Sequence, residues 1–332
     1  MSHNKKTDHL IRFVTDTDFS KLPEGIIDAS KRCFMDWFGV ALGGMEESAV
    51  KIVLDLVKST GGREQAAIPG YGIRTSVLNC ALVNGTMAHA LDYDDAHMYT
   101  RSHLSAPLIA ALMPVSQYKN IHGSELVAAF VVGFEVGSRI GLALGNSYYD
   151  KGWHSTSILG RFAAAAGVGK LLGLSESKLN HAFGLAATQA GGIRETFGTM
   201  SKPFHSGKAA MDGILSVLLA DQGFTSCMDI LDSRSGFGSL FSTKYDPDLL
   251  TRNLGERFNL EDVSLKPYAA CLALHPPITG LVSIAREHSL DAEVVERIVL
   301  RVAPICVVLG DNPSPESALE GKFSIYFCSA LA

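Results

Sequence analysis

No two cysteines in this sequence are spaced as a redox pair or a metal-binding couple. The six, Cys33, Cys80, Cys227, Cys271, Cys306 and Cys328, are scattered without a C-x-x-C. That argues against a structural zinc site, an iron–sulfur cluster or a disulfide framework, and suits reduced thiols in a cytoplasmic protein. Positive charge is not in excess either: 29 Lys and Arg stand against 34 Asp and Glu, a net charge of −5. Nucleic acid and anionic membrane surfaces are therefore not expected partners. Charged residues make up only 19% of the chain and hydrophobic ones 47%, the balance of a well-buried globular protein and not of a disordered one. The opening residues, M-S-H-N-K-K-T-D-H, lack the apolar core of a signal peptide. The longest apolar run, residues 126–145, carries Glu135, Arg139 and several glycines, so it reads as a buried helix and not as a membrane span. No serine nucleophile elbow, P-loop or dinucleotide fingerprint is present; Gly133 and Gly137 fall inside a helical pattern and follow no strand.

What is present is mostly helix. At 332 residues the chain suffices for one large or two ordinary domains. Apolar periodicity and caps predict helices over 24–43, 48–59, 76–91, 106–119, 123–144, 154–172 and 175–190, with a further one from Lys208 to Gln222. Residues 61–72 read as loop. Strand character is nearly absent before residue 260. After a helix at 276–288, Val294–Val302 is rich in β-branched residues and alternates from Glu296 onward, which predicts a strand. The composition therefore predicts an all-α domain over 1–262 and a smaller α/β segment over 263–332. The chain ends inside a fresh apolar run, which suggests that this second part is C-terminally incomplete.

Titratable residues concentrate between Asn84 and Pro107, where His89, Asp92, Asp94, Asp95, His97, Arg101 and His103 occur together. If the segment is first helix and then loop, Asp92 and Asp95 share a helix face and His103 points into a cavity whose wall carries Asp92. The same cluster also reads as a metal site or a solvated acidic helix. Three other motifs bring polar groups. In Gly152–Ser157, His154 and Ser155 sit where a helix begins, either as simple caps or beside an anion site. In Gly198–Lys208, Lys202 precedes a proline, which favours an extended loop; it is either a solvated lysine or a carboxylate-binding point charge. The third, Lys266–Pro276, contains Lys266, Cys271 and His275 and lies where the helical part gives way to the second segment, a common place for a pocket. Together His103, His154, His275, Lys202, Lys266 and Arg101 suggest a locally basic pocket for a small polyanion. Histidine and lysine there can move protons near neutral pH, with Asp92 orienting a histidine or stabilising its charged form.

In this order the motifs resemble the MmgE/PrpD family, which includes 2-methylcitrate dehydratase and cis-aconitate decarboxylase. The matching stretches are N-G-T-M-A-H-A-L-D-Y-D-D-A-H at 84–97, H-L-S-A-P at 103–107, G-F-E-V-G-S-R-I-G at 133–141, G-W-H-S-T-S at 152–157, S-K-P-F-H-S-G-K-A-A at 201–210 and K-P-Y-A-A-C at 266–271. The resemblance implies a mainly α protein, a large helical domain plus a smaller α/β lid, acting as a homodimer with a site between the domains and no cofactor or metal. It implies a lyase, with a hydro-lyase acting on a small hydroxy-polycarboxylate such as 2-methylcitrate the first expectation and a decarboxylase or epimerase the second. By matching positions, His103, His154, Asp92 and Lys202 are the expected catalytic residues, and Lys266, Cys271, His275 and Arg101 the expected substrate-binding ones. Three positions depart from the decarboxylase branch: Cys271 stands in place of a histidine, Ala96 of a threonine, and Phe327 aligns with a tyrosine. Position 271 departs from the 2-methylcitrate dehydratases as well. A non-catalytic carboxylate-binding relative, and a metal-dependent hydrolase built on Asp92, Asp94, Asp95 and His97, are the readings from other classes.

Overall fold

A computed structural model describes residues 6–332. The chain starts with α1 (Lys6–Asp16), which buries Leu10, Ile11 and Val14. Pro23 immediately precedes α2 (Glu24–Gly43), its ring pre-setting the backbone at the helix entrance. After α3 (Ser48–Thr60), the stretch expected to be loop forms a short hairpin of β1 (Ala66–Ile68) and β2 (Ile73–Thr75). The Ser76 hydroxyl accepts the Asn79 amide N–H and caps α4 (Val77–Ala90). Then come the two-residue β3 (Ala96–His97), α5 (Ser105–Lys119), α6 (Gly123–Leu144), the single turn α7 (Ser147–Asp150), α8 (Ser155–Leu171), α9 (Glu176–Thr188) and α10 (Ser201–Asp221).

The expected helices are found to within two residues, with one exception. The last begins at Ser201 and not at Lys208. Lys202 is thus in a helical first turn and not in an extended loop. Pro203 is tolerated there because amides of the first turn have no intrahelical partner to lose. Helix α6, the apolar run that carries Glu135 and Arg139, is long and apolar enough to cross a membrane, yet 83% of its most apolar window is buried inside the protein.

Small residues let the central helices approach closely. Helix α10 lies against α4 and α8. A Cβ added at Gly207 would sit 2.1 Å from the Leu82 carbonyl oxygen, and one added at Gly85 would sit 2.6 Å from the Gly207 Cα. This approach brings the first turn of α10 beside the last turn of α4, and with it Lys202 beside His89.

The buried pair on α6 fixes how the chain leaves the helical part. Arg139 binds the Glu135 carboxylate and donates to the Arg252 and Arg257 carbonyls, while Glu135 accepts the Leu260 amide. The segment after α11 (Phe237–Phe241) is thereby led to β4 (Val263–Ser264), which pairs antiparallel with β3. Beyond it α12 (His275–Glu287), α13 (Pro304–Gly310), α14 (Ala318–Gly321) and α15 (Ile325–Leu331) gather around a small apolar cluster that includes Ala270, Leu274, Ile278, Phe323 and Ile325. The fold is therefore mainly α, a large helical part followed by a smaller part with few strands. Val294–Val302 is not a strand: a 3-10 turn spans Ala292–Val294 and no ladder follows. A strand needs a neighbour to take its hydrogen bonds, and no described segment supplies one, so Val294 and Val299 stay exposed.

Replacing Gly207 by alanine should force α4 and α10 apart, at a cost of about 1–3 kcal/mol. A urea-unfolding midpoint unchanged from wild type would show that the contact can relax freely.

Candidate active site

Helix α4 ends at Ala90, and Asp92 turns away from it with a left-handed backbone, φ 51°, a conformation that aspartate tolerates better than most residues. Asp92 and Asp95 therefore do not share a helix face. The turn sends the Asp92 carboxylate toward α10 instead, where Lys202 donates to its Oδ1 at 2.8 Å. The β3–β4 pairing delivers Lys266 to the same atom at 3.0 Å, and Lys266 also donates to the Asp92 carbonyl at 2.7 Å. All three side chains are buried. Burial alone would raise the Asp92 pKa, but the two ammonium groups override it and hold the carboxyl well below the usual carboxylate range.

The two lysines are not equivalent. An ammonium has three N–H donors. Lys266 directs its three at Asp92 Oδ1, the Asp92 carbonyl and the Ala270 carbonyl. Lys202 directs one at Asp92 and one at His89 Nε2, 2.9 Å away; its third has no hydrogen-bond acceptor in the protein, and the ammonium stands 5.5 Å from the ring centres of Phe197 and Phe323 in the cavity wall. His89 in turn binds the Asp94 carboxylate through Nδ1 at 2.7 Å. That fixes its proton on Nδ1 and its lone pair toward Lys202. His89 escaped the sequence reading as a site member, and Asp94 entered it only as a metal-ligand candidate: a histidine inside a helix of small apolar residues reads as core. Their only signal was membership of the crowded 84–107 stretch.

His103 lies between β3 and α5. Its Nδ1 is 2.8 Å from the Asp95 carbonyl oxygen, which can only accept, so Nδ1 carries the proton and Nε2 keeps a free lone pair. The Asp95 peptide is held at its other end as well, its N–H donating to Asp36 Oδ2 at 3.0 Å. The Ser105 hydroxyl makes a short bond to the Asp95 carboxylate. Burial, then Lys266, push His103 down to about 3. His154 immediately precedes α8 without a side-chain capping bond, and burial followed by the Lys202 charge lowers it well below the ordinary imidazole value. Its Nδ1 is 3.0 Å from Nδ1 of His205, so one of the two rings must donate and the other accept. The His89 ring lies 5.0 Å from that of His103 and 5.8 Å from that of His154. The two imidazoles singled out from sequence thus flank one point.

They face a cavity of about 320 Å³ lined also by Asp92, Arg101, Tyr149, Lys202, Phe197 and Cys271, within the size range of small-molecule sites. Arg101, with a left-handed backbone (φ 50°), and Arg194 both lie over the Tyr149 ring, at 5.1 and 4.6 Å. Burial, then Asp92, push the Cys271 thiol up to about 11, so it is a neutral group in the wall. Lys266 and His275 do not line the cavity. His275 lies 3.0 Å from the Ala270 carbonyl through Nε2, and both residues brace the loop that carries Cys271. The residues of the metal reading diverge: Asp92 pairs with the lysines, Asp94 with His89, Asp95 with Ser105, and His97 with Thr100. The group whose ligand atoms do come within 4.8 Å of one another is His89, Asp94 and His103.

Neutral imidazoles and a buried ammonium group thus meet in a cavity where the helical part adjoins the smaller second part. The chain belongs to the MmgE/PrpD family: residues 8–250 match the MmgE/PrpD N-terminal domain and residues 268–332 the MmgE/PrpD C-terminal domain. It is 30% identical over 328 residues to cis-aconitate decarboxylase of Mus musculus, an alignment covering 93% of this chain and 66% of that protein. It is 29% identical over 302 residues to the cis-aconitate decarboxylase-like protein oryM of Aspergillus oryzae, covering 85% and 62%. With the Homo sapiens cis-aconitate decarboxylase the identity is 29% over 326 residues, covering 93% and 67%. The chain thus spans about two-thirds of the length of these relatives.

Replacing Asp92 by alanine should cost about 3–5 kcal/mol of stability, because two buried ammonium groups lose their counter-charge. Since the folded-state pKa of Asp92 is depressed, its contribution is present above the ordinary carboxylate pKa of about 4 and is lost as pH falls below it. Urea denaturation of wild type and variant at several pH values should show a gap that is constant near neutrality and narrows in acid. A gap that widens in acid would mean that Asp92 is not the charged partner.

Proposed function

We propose that this protein is a lyase that forms a carbanion beside a carboxylate of a small polycarboxylate, and that its reaction is a decarboxylation. The observation that carries the reading is the pair of His103 and His154 about a buried Lys202 whose third N–H is unclaimed. Lys202 holds the carboxylate next to the reacting carbon, and its charge stabilises the negative charge delocalised there as a carbon–carbon bond breaks and carbon dioxide leaves. If His205 donates to His154 through Nδ1, the His154 proton sits on Nε2; this N–H protonates the carbon while the His205 proton passes to His154 Nδ1 and the partly exposed His205 is reprotonated from water, so no imidazolate is left. The names of the relatives favour this direction. Asp92 and His89 act behind Lys202 and aim it, and Lys266 holds Asp92 from the other side.

A second reading, dehydration of a hydroxy-polycarboxylate such as 2-methylcitrate, is favoured by the complementary tautomers: His103 Nε2 would take the carbon-bound proton while His154 protonates the departing hydroxyl. Both reactions give a conjugated acid that absorbs in the ultraviolet, but only one releases carbon dioxide. A panel of citrate, 2-methylcitrate and cis-aconitate, read by absorbance and by evolved carbon dioxide, separates them. Absorbance change without the gas would replace decarboxylation by dehydration, and turnover neither of these tricarboxylates nor of alkyl-substituted unsaturated or hydroxy dicarboxylates would remove both.

His154→Ala should lower kcat by about 100-fold or more, the usual range for loss of a general acid or base; a loss under about threefold would remove His154 from the mechanism. Because the His103 pKa is depressed to about 3, its lone pair stays available far below the ordinary histidine value of about 6.5. Protonation of this ring should therefore cause no fall in kcat/KM between about pH 8 and about pH 5. A fall centred near 6.5 that disappears in His103→Gln would assign the ring its ordinary pKa.

A further inference from the structure

The cavity has two unlike walls. Asp92, Arg101, His103, His154 and Lys202 all come from the helical part. The facing wall, from Cys271 through α13 to Phe323, contributes no charged, amide or hydroxyl side chain to the lining; Leu272, Ile305, Leu309 and Phe323 dominate it. The Cys306 thiol in that wall is occupied by the Ala273 carbonyl at 3.1 Å.

Cationic donors are correspondingly few. Lys202 has one N–H free. Lys266 has none free and lies behind Asp92, outside the lining. Arg101 lines the cavity with a partly exposed side chain and a loose contact to Asp150, 3.6 Å, which makes it the second cation within reach. Two carboxylates can be matched in this way. Tyr149 and His154 in the lining can donate hydrogen bonds but bring no charge, so a third carboxylate would meet no cation and would press on the apolar wall, a penalised burial, whereas an alkyl group there would be favoured.

We propose that the substrate is a dicarboxylate bearing an alkyl substituent, with its carboxylates on Lys202 and Arg101 and its alkyl group against Leu272, Ile305, Leu309 and Phe323. The inference rests on the carboxylate-lyase reading and narrows it. Each methylene buried against this wall should tighten binding by about fourfold.

The test is calorimetric titration of the protein with succinate, methylsuccinate, ethylsuccinate, butylsuccinate and the tricarboxylate tricarballylate, repeated on Lys202→Met. The expected result is affinity rising about fourfold per methylene up to butyl, tricarballylate weaker than butylsuccinate by at least about tenfold, and loss of all binding in Lys202→Met. A flat chain-length series, or tricarballylate binding as tightly as butylsuccinate, would overturn the alkyl assignment and leave the carboxylate-lyase reading standing. Butylsuccinate affinity unaltered in Lys202→Met would also overturn it, since the ligand would then sit elsewhere. Binding of no acid in the series to wild type would sink both readings. The series on wild type decides the matter even if the variant does not fold.

Discussion

One buried carboxylate oxygen holds the site together. Asp92 Oδ1 receives an ammonium from the helical part and another from the chain beyond it, Lys202 and Lys266. Neither cation is tolerable in the interior without that oxygen, and Asp92 is not tolerable without them. Everything catalytically suggestive is a neighbour of this knot. Lys202 is aimed by His89, His89 is fixed by Asp94, and His103 and His154 stand on either side of the His89 ring. The same positive charge, added to burial, keeps the imidazoles neutral. Unprotonated rings beside an ammonium group paired with a carboxylate are the arrangement on which the proposed acid–base chemistry rests.

The helices were legible from the sequence because their signals are local: the serine that opens the 175–190 helix, Pro23 as an entrance, apolar spacing along α2 and α3. The crowding of titratable groups between residues 84 and 107 also pointed to the stretch that contributes Asp92, Arg101 and His103 to the cavity lining. What local pattern could not convey is direction. Whether Asp92 continues a helix or turns off it depends on a single left-handed residue. Whether a lysine meets a ligand or a carboxylate depends on what another element brings opposite: Lys266 and Lys202 look alike in sequence, yet one is fully engaged by protein and the other is not. Val294–Val302 shows the same limit from another side, since alternation describes a half-buried surface but cannot provide the neighbouring strand.

The second part of the chain contributes shape more than charge. Its apolar cluster closes the cavity over the polar floor, and its one polar gift, Lys266, works from behind Asp92. Cys271 stands in that wall as a neutral, enclosed thiol.

The order of assembly follows from the distance along the chain at which that knot is tied. The bonds from Lys266 to Asp92 span 174 residues, and they depend on the two-residue β3–β4 ladder and on the Arg139 clamp over Arg252 and Arg257. The helical part can gather through contacts that are mostly nearer in sequence, whereas closure of so long a loop comes late. A collapsed species with its helices formed and residues 263–270 undocked would hold Asp92 by Lys202 alone. Such a species would have nearly the full helical circular dichroism signal and no finished floor, so on refolding the spectrum would recover before the function does.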